Sequence, residues 1–298
     1  MFDSFLSIIK WKKLVHIVVV QFLFKYCFLY GYGFETKLTF VDLGVLSLST
    51  ITILASGYLA GYYLRYKSNK HLVFSSKDAL ALSVIFGVTG VALGIYLSVF
   101  IGKPYYSIIQ FISLFGAILY FKLVRKKTFF NNIMEGVLKV LCVLIVWWFD
   151  YPIELNAAQA NTFFYLQLIT IFYVTYSFLG NILREILIDI ININNDYIKK
   201  HKTLPIVLGR KRAKNIILTV SIFILFATVA FALLVVKDKF ILGVIFLFGT
   251  VPQLWFIKRL MGVNTSIEYQ KFMKVSNLVY ILAVVSIPII AIYFKYVI

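Results

Sequence analysis

The segment from Asn181 to Ala213 gathers most of the side chains in this sequence whose types and spacing suit chemistry. Glu185, Asp189, Asn192 and Asp196 stand four, three and four residues apart, with Asn181 four residues before them. At about 100° of rotation per residue, an α-helix places all five on one stripe about 80° wide. Carboxylates beside amide oxygens are the hard ligands that Mg²⁺ prefers, and Mg²⁺ usually arrives with phosphate. Arg184, Lys199, Lys200, Lys202, Arg210, Lys211 and Arg212 flank the stripe and are matching donors for phosphate oxygens. The same pattern also suits a plain polar face where a helix leaves a membrane, and the Asn-rich run 191–195 is able to break the helix. From the residues alone, both readings stand.

The elements that must position these groups are hydrophobic helices. Of 298 residues, 61% are apolar and 14% charged, and the mean hydropathy is +0.91; soluble domains do not usually reach such values. Nine apolar runs, near 14–32, 40–64, 79–100, 104–122, 132–149, 162–184, 214–236, 240–257 and 276–295, approach or exceed the roughly 20 residues that cross a bilayer. They are apolar all round, as helices in lipid must be while satisfying their own backbone. The expected fold is an all-α bundle of nine transmembrane helices forming one domain over 1–298. Met1–Lys13 is amphipathic and basic, unlike a cleavable signal peptide.

The net charge of +18 is distributed as topology demands rather than as a nucleic-acid surface. Of the 30 Lys and Arg residues, 23 fall in the N-terminus and in the connections after the even-numbered spans. That asymmetry predicts a cytoplasmic N-terminus and an external C-terminus. A basic cytoplasmic face also suits anionic lipid or a phosphorylated substrate.

Other polar residues read as structural. Cys27 and Cys142 sit within spans without metal-ligand spacing and act as small hydrophobes. His16, His71 and His201 are scattered, which argues against a histidine metal site. Trp147 and Trp148, beside Asp150, read as interfacial anchors. Glu135 and Lys139 are spaced to pair along one helix. Lys25, near the outer end of the first span, is expected to snorkel to water. Gln21, Gln110, Gln167 and Gln253 either bridge helices, the commoner use, or face a cavity.

The run Asn181, Arg184-Glu185, Asp189, Asp196, Lys202-Thr203-Leu204-Pro205, Leu208-Gly209 and Ala213 resembles the second aspartate-rich motif of the UbiA superfamily of intramembrane prenyltransferases. The opening "IIKWKKLVHIVVVQFLFKY" is similar to that of bacterial geranylgeranylglycerol-phosphate geranylgeranyltransferase-like members. The resemblance implies nine helices and two acidic motifs that hold Mg²⁺ on a prenyl diphosphate. Ionisation in an apolar cavity then gives an allylic cation, which a hydrophobic acceptor attacks. The partners implied are a prenyl diphosphate, a lipid-like or aromatic acceptor and membrane lipid, with no nucleic acid. The location implied is an integral multi-pass membrane protein, in the cytoplasmic membrane if bacterial.

The sequence departs from the family pattern after the second span. Where the first acidic motif belongs, Gly61 and Tyr62 stand for its opening Asn-Asp, Arg65 for the next Asp and Asn69 for the last. In the second motif the middle Asp is Asn192, and the usual glycines are Asn195 and Lys200. Two readings follow. In the first, Glu185, Asp189, Asn192 and Asp196 hold Mg²⁺, Asp189 and Asp196 being catalytic. Arg65, Lys127, Arg184, Lys199 and Lys202 then neutralise the diphosphate, and Asn181 lines the site. Lys127 matches the basic residue preceding a Gly-Asn step, here Asn131-Asn132. In the second, the chain has lost catalysis and binds an isoprenoid or lipid, or assists a partner.

Overall fold

A computed structural model describes residues 2–29, 33–66, 74–124, 129–198, 200–236 and 238–297. Among them the regular structure is helical: α1 Phe2–Ile8, α2 Trp11–Leu23, α3 Phe40–Tyr66, α4 Ser76–Phe100, α5 Ser107–Val124, α6 Phe129–Phe149, α7 Ala157–Ile191, α8 Ile193–Ile198, α9 Leu204–Leu208, α10 Arg210–Val235, α11 Lys239–Ile245, α12 Val251–Gly262 and α13 Ser266–Val297. One isolated bridge, Thr36 with Pro152, is the β pairing found among the described residues.

Among the described residues seven helical segments are long and apolar enough to cross a membrane: Phe40–Leu64, Ser76–Phe100, Asn132–Phe149, Gln159–Ile191, Arg210–Leu234, Lys239–Gly262 and Ser266–Tyr293. The other two expected runs, at 14–32 and 104–122, reach into residues outside those fully described and are not among the seven. Within the run at 14–32, α2 passes without a break into a π-helical turn at Phe24–Leu29. The run at 104–122 opens with a 3₁₀ turn at Pro104–Tyr106 and continues as α5 to Val124.

Local chemistry starts the helices where the chain supplies it. Ser75 caps α4, accepting from the Lys77 N–H. Asn156 and Gln159 cap each other's backbone at the start of α7. Asp238 accepts from the Phe240 and Ile241 N–H groups at the start of α11. Each cap satisfies donors that a helix N-terminus leaves open.

The chain divides into two compact units. The first comprises Met1–Tyr30, Phe34–Lys126 and Val137–Leu155. Here α3 and α4 pack backbone to backbone: a Cβ on Gly90 would lie 3.0 Å from the Ser49 carbonyl oxygen and 2.6 Å from Ile53 Cγ1. Hydroxyls fasten the pair, Ser49 Oγ donating to Gly90 O at 2.6 Å and Ser56 Oγ to Ser83 O at 2.7 Å. Small residues and side-chain hydrogen bonds are the means by which helices associate where burial from water provides no drive. Gln21 bridges as expected, donating to Thr50 Oγ1 at 3.2 Å and to Cys142 O at 2.7 Å.

Lys25 corrects the snorkelling expectation. Its side chain is 3% exposed and lies 2.6 Å from Asp150 Oδ2, whose side chain is 0% exposed. Lys25 also donates to Thr36 Oγ1 at 2.9 Å and to Leu38 O, while Asp150 Oδ1 accepts from the Leu38 N–H at 2.9 Å. The segment is stitched further by Ile153 N donating to Glu35 O at 2.9 Å and Lys37 N to Tyr151 O at 3.2 Å. An inward partner was within reach, so the ammonium turned to it rather than to water.

The second unit comprises Gly31–Gly33, Lys127–Gly136 and Asn156–Ile298. Its core joins Leu183, Ile186, Leu187 and Ile190 of α7 to Ile217 of α10, Leu260 of α12 and Phe272 of α13. The four α7 residues lie at i, i+3, i+4 and i+7 and form one face. On the helical wheel that face is centred about 150° from Glu185, so the acidic stripe points away from this core.

Candidate functional site

The C-terminal half of α7 carries the candidate site. Asn181 and Asp189 are buried, at 7% and 5% exposure, although they lie opposite the apolar core. Asp189 therefore does not sit on an open polar face, which disfavours the plain wet-loop reading. Its Oδ2 accepts from Asn132 Nδ2 of α6 at 2.9 Å. Asn181 Nδ2 donates to the Ser177 carbonyl one turn back, at 2.8 Å.

Glu185 sits between them on the wheel. Its Oε1 is shielded from solvent and has no hydrogen-bond partner among the described residues, although Arg184 Nη1 lies 3.9 Å away. Arg184 is itself turned toward α13, its Nε donating to Asn277 Oδ1 at 3.2 Å. A shielded carboxylate oxygen that lacks a hydrogen-bond donor is costly unless something binds it.

The single stripe expected over five positions ends after Asp189. Asn192 is the C-cap of α7, at φ −93° and ψ 10°, and Asp196 belongs to the separate helix α8. Asp196 is 2% exposed, and its Oδ1 lies 2.9 Å from His201 Nδ1. The chain returns His201 to Asp196 through a left-handed residue, Lys200, at φ 54°. His201 N donates to Asp196 O at 2.9 Å and Lys200 N to Tyr197 O at 3.0 Å, the two bonds of a Schellman helix end. Lys200 stands where the family pattern places a glycine, so the left-handed turn survives without the residue best suited to it.

Two further motif residues, Thr203 and Gly209, shape the chain that follows this turn. Thr203 is the N-cap of α9, with a proline in the first turn. Gly209, at φ 87° and ψ 153°, joins α9 to α10, in a conformation open essentially to glycine. Gly209→Ala is expected to cost about 1–3 kcal/mol of unfolding free energy, whereas Lys200→Gly is expected to stabilise by about 1 kcal/mol. Denaturant unfolding in detergent measures both. Opposite signs at two positive-φ positions would not arise if the loop were loosely held.

Other expected site residues divide. Lys202 is exposed. Arg65 is in the last turn of α3, but its side chain lies outside the described residues, as do Lys127 and Lys199 entirely. Among the described residues no three His, Cys, Asp or Glu side chains gather closely enough to hold a metal by themselves. The four-ligand protein cage of Glu185, Asp189, Asn192 and Asp196 is not assembled there. The donor set still fits a magnesium ion that arrives with phosphate, since Mg²⁺ is commonly bound by one or two carboxylates, with substrate oxygens and water completing its octahedron. Asp189 and the unpartnered oxygen of Glu185 are the groups that suit it.

His201 was the residue missed. Its signal was present, five positions after Asp196 and directly after the displaced glycine, but helical periodicity does not look across a helix end. Asn132 was noted only as part of the Asn131-Asn132 step, not as a partner of Asp189.

The sequence model of the UbiA prenyltransferase family matches residues 72–278. Among curated proteins none matches the chain. Among solved structures, one described as digeranylgeranylglyceryl phosphate synthase is similar with a TM-score of 0.73 at 16% identity, over 98% of each chain. A UbiA homolog from Aeropyrum pernix K1 gives a TM-score of 0.62 at 14% identity, covering 91% of this chain and 98% of that one. A UbiA homolog from Archaeoglobus fulgidus, bound to DMAPP and Mg²⁺, gives 0.56 at 14%, covering 93% and 98%. At such identities these likenesses establish the fold, and the family match covers more than half of the sequence. This multi-pass helical chain belongs to the UbiA prenyltransferase family.

Proposed function

We propose that the protein is an intramembrane prenyltransferase that moves a prenyl group from a prenyl diphosphate to a lipid-like or aromatic acceptor. The observation that carries this reading is Asp189: a buried carboxylate, oriented by Asn132, in the second acidic motif of the family. Support for the donor substrate comes from the Archaeoglobus fulgidus homolog, which holds DMAPP or GPP with Mg²⁺.

In this reading Asp189 and Glu185 hold Mg²⁺ on the diphosphate, and Asp196, anchored by His201, orders the segment that follows. Bound there, the ion would neutralise charge that develops on the leaving diphosphate. Arg65, Lys127, Lys199 and Lys202 supply further positive charge toward that group, and Arg184 joins them by leaving Asn277. Arg65 replaces a carboxylate of the first motif, so the clamp relies more on guanidinium and ammonium groups than the family pattern does. Nine crossings within one domain, N-terminus in the cytoplasm, remain the topology we favour, supported by the side bias of the basic residues.

A second reading, an isoprenoid-binding member without transfer activity, draws on one observation: residues 56–77 contain no Asp or Glu. Purified protein given labelled geranylgeranyl or farnesyl diphosphate and a panel of acceptors, with and without Mg²⁺, separates the two. Mg²⁺-dependent labelling of an acceptor supports the transferase. Saturable diphosphate binding without turnover across the panel supports the binding protein.

A further inference from the structure

Away from the acidic stripe, the facing ends of α12 and α13 enclose a groove of about 610 Å³ within the second unit. Its floor is apolar, formed by Trp255, Phe272 and Val275. Phe272 is buttressed by Phe256, their ring centroids 4.8 Å apart. Its rim is basic, carrying Lys258, Arg259 and Lys271. All three are exposed, and none is engaged by a hydrogen bond or ion pair among the described residues.

One acid, Glu268, also borders the groove. Its Oε2 is occupied, accepting from the Asn264 N–H at 2.7 Å and the Thr265 N–H at 3.1 Å to cap α13. The connecting turn is held from α10 by Lys214, whose Nζ donates to Met261 O at 2.8 Å and Val263 O at 2.7 Å. The groove is thus a braced slot with three cations facing one committed carboxylate. It lies where two membrane-length segments, Lys239–Gly262 and Ser266–Tyr293, meet.

We propose that this groove binds an anionic phospholipid of the surrounding membrane. The phosphate sits among Lys258, Arg259 and Lys271, and the start of an acyl chain runs along Trp255, Phe272 and Val275. Charge complementarity selects the anionic headgroup, because basic pockets between membrane helices attract such groups. The apolar floor selects a lipid over free phosphate, which has no use for it. The volume falls within the range of about 300–1,000 Å³ typical of small-molecule sites. None of the groove residues belongs to the acidic stripe, so this site is separate from the proposed prenyl transfer and does not depend on it.

Native mass spectrometry of the full-length protein in detergent, titrated with dioleoyl phosphatidylglycerol, dioleoyl phosphatidylcholine or glycerol phosphate, provides the test. Wild type is expected to retain phosphatidylglycerol at least about tenfold more tightly than phosphatidylcholine. Lys258→Ala, Arg259→Ala and Lys271→Ala together are expected to abolish that preference. Removing three charges elsewhere, with Lys12→Ala, Lys77→Ala and Lys239→Ala, is expected to leave it intact. Should the groove variant not fold, quenching of tryptophan fluorescence by brominated phosphatidylglycerol decides: wild type is quenched, and Trp255→Phe loses most of the effect. Equal binding of the two lipids overturns the proposal, as does displacement by glycerol phosphate, a preference retained in the groove variant, or quenching unchanged in Trp255→Phe.

Discussion

Asp189→Ala is expected to lower prenyl transfer on the order of a thousandfold, the loss typical when a group stabilising charge in a transition state is removed. The expectation rests on placement. Asp189 is 5% exposed, so it keeps its charge at depth only with partners, and Asn132 supplies one at 2.9 Å. Asp189→Asn separates charge from shape: it preserves size and the capacity to bond Asn132, yet removes the anionic oxygen. Turnover should fall nearly as far as in the alanine variant, with the unfolding midpoint little changed. Asn132→Ala should cost less, about 10–100-fold, as for residues that orient a ligand rather than bind the ion. It should also raise the Mg²⁺ concentration needed for half-maximal rate, which a merely structural residue would not do. If Asp189→Asn turns over within a few-fold of wild type, the carboxylate has no part in transfer.

Lys25→Met is expected to destabilise the fold by about 3–5 kcal/mol, the cost of stranding a buried charge. The pair is deeply enclosed, with side chains 3% and 0% exposed. Among the described residues, the donor left to the Asp150 side chain would be the Leu38 N–H, at 2.9 Å. The double variant Lys25→Met with Asp150→Asn should recover much of the loss, because no charge is then left unpaired. A double-mutant cycle followed by denaturant unfolding in detergent gives the coupling directly. Additive effects of the two single substitutions would mean that the ions do not depend on each other.

What the sequence made legible follows from what periodicity measures. Hydrophobic runs announce helices, and those of α3, α4, α6, α7, α10, α11 with α12, and α13 were readable because their apolar residues persist for a membrane's thickness. The first run continues from α2 through a π-helical turn at Phe24–Leu29, as α11 continues into α12 through one at Phe246–Thr250, and hydropathy is blind to such changes of winding. Asn181, Glu185 and Asp189 were correctly placed on one face because α7 is unbroken between them. Asp196 was misplaced because Asn192 ends that helix, and its partner His201 lies across the break. Lys25 and Lys214 were counted as topology signals or snorkelling residues. Their real partners, Asp150 and the carbonyls of Met261 and Val263, lie 125 and about 50 residues away, beyond any local pattern.

The distance between Lys25 and Asp150 along the chain also bears on biogenesis. A ribosome delivers Lys25 to the membrane well before Asp150 has been synthesised. During that interval its ammonium has no counter-ion and must remain near the aqueous boundary, since an unpaired charge within the bilayer is costly. The ion pair itself therefore closes only after α6 has been made, with Thr36 and the Leu38 carbonyl as the partners available before it. In the finished molecule the pair ties the amino-terminal run to the end of α6, two segments separated by most of the first unit's length.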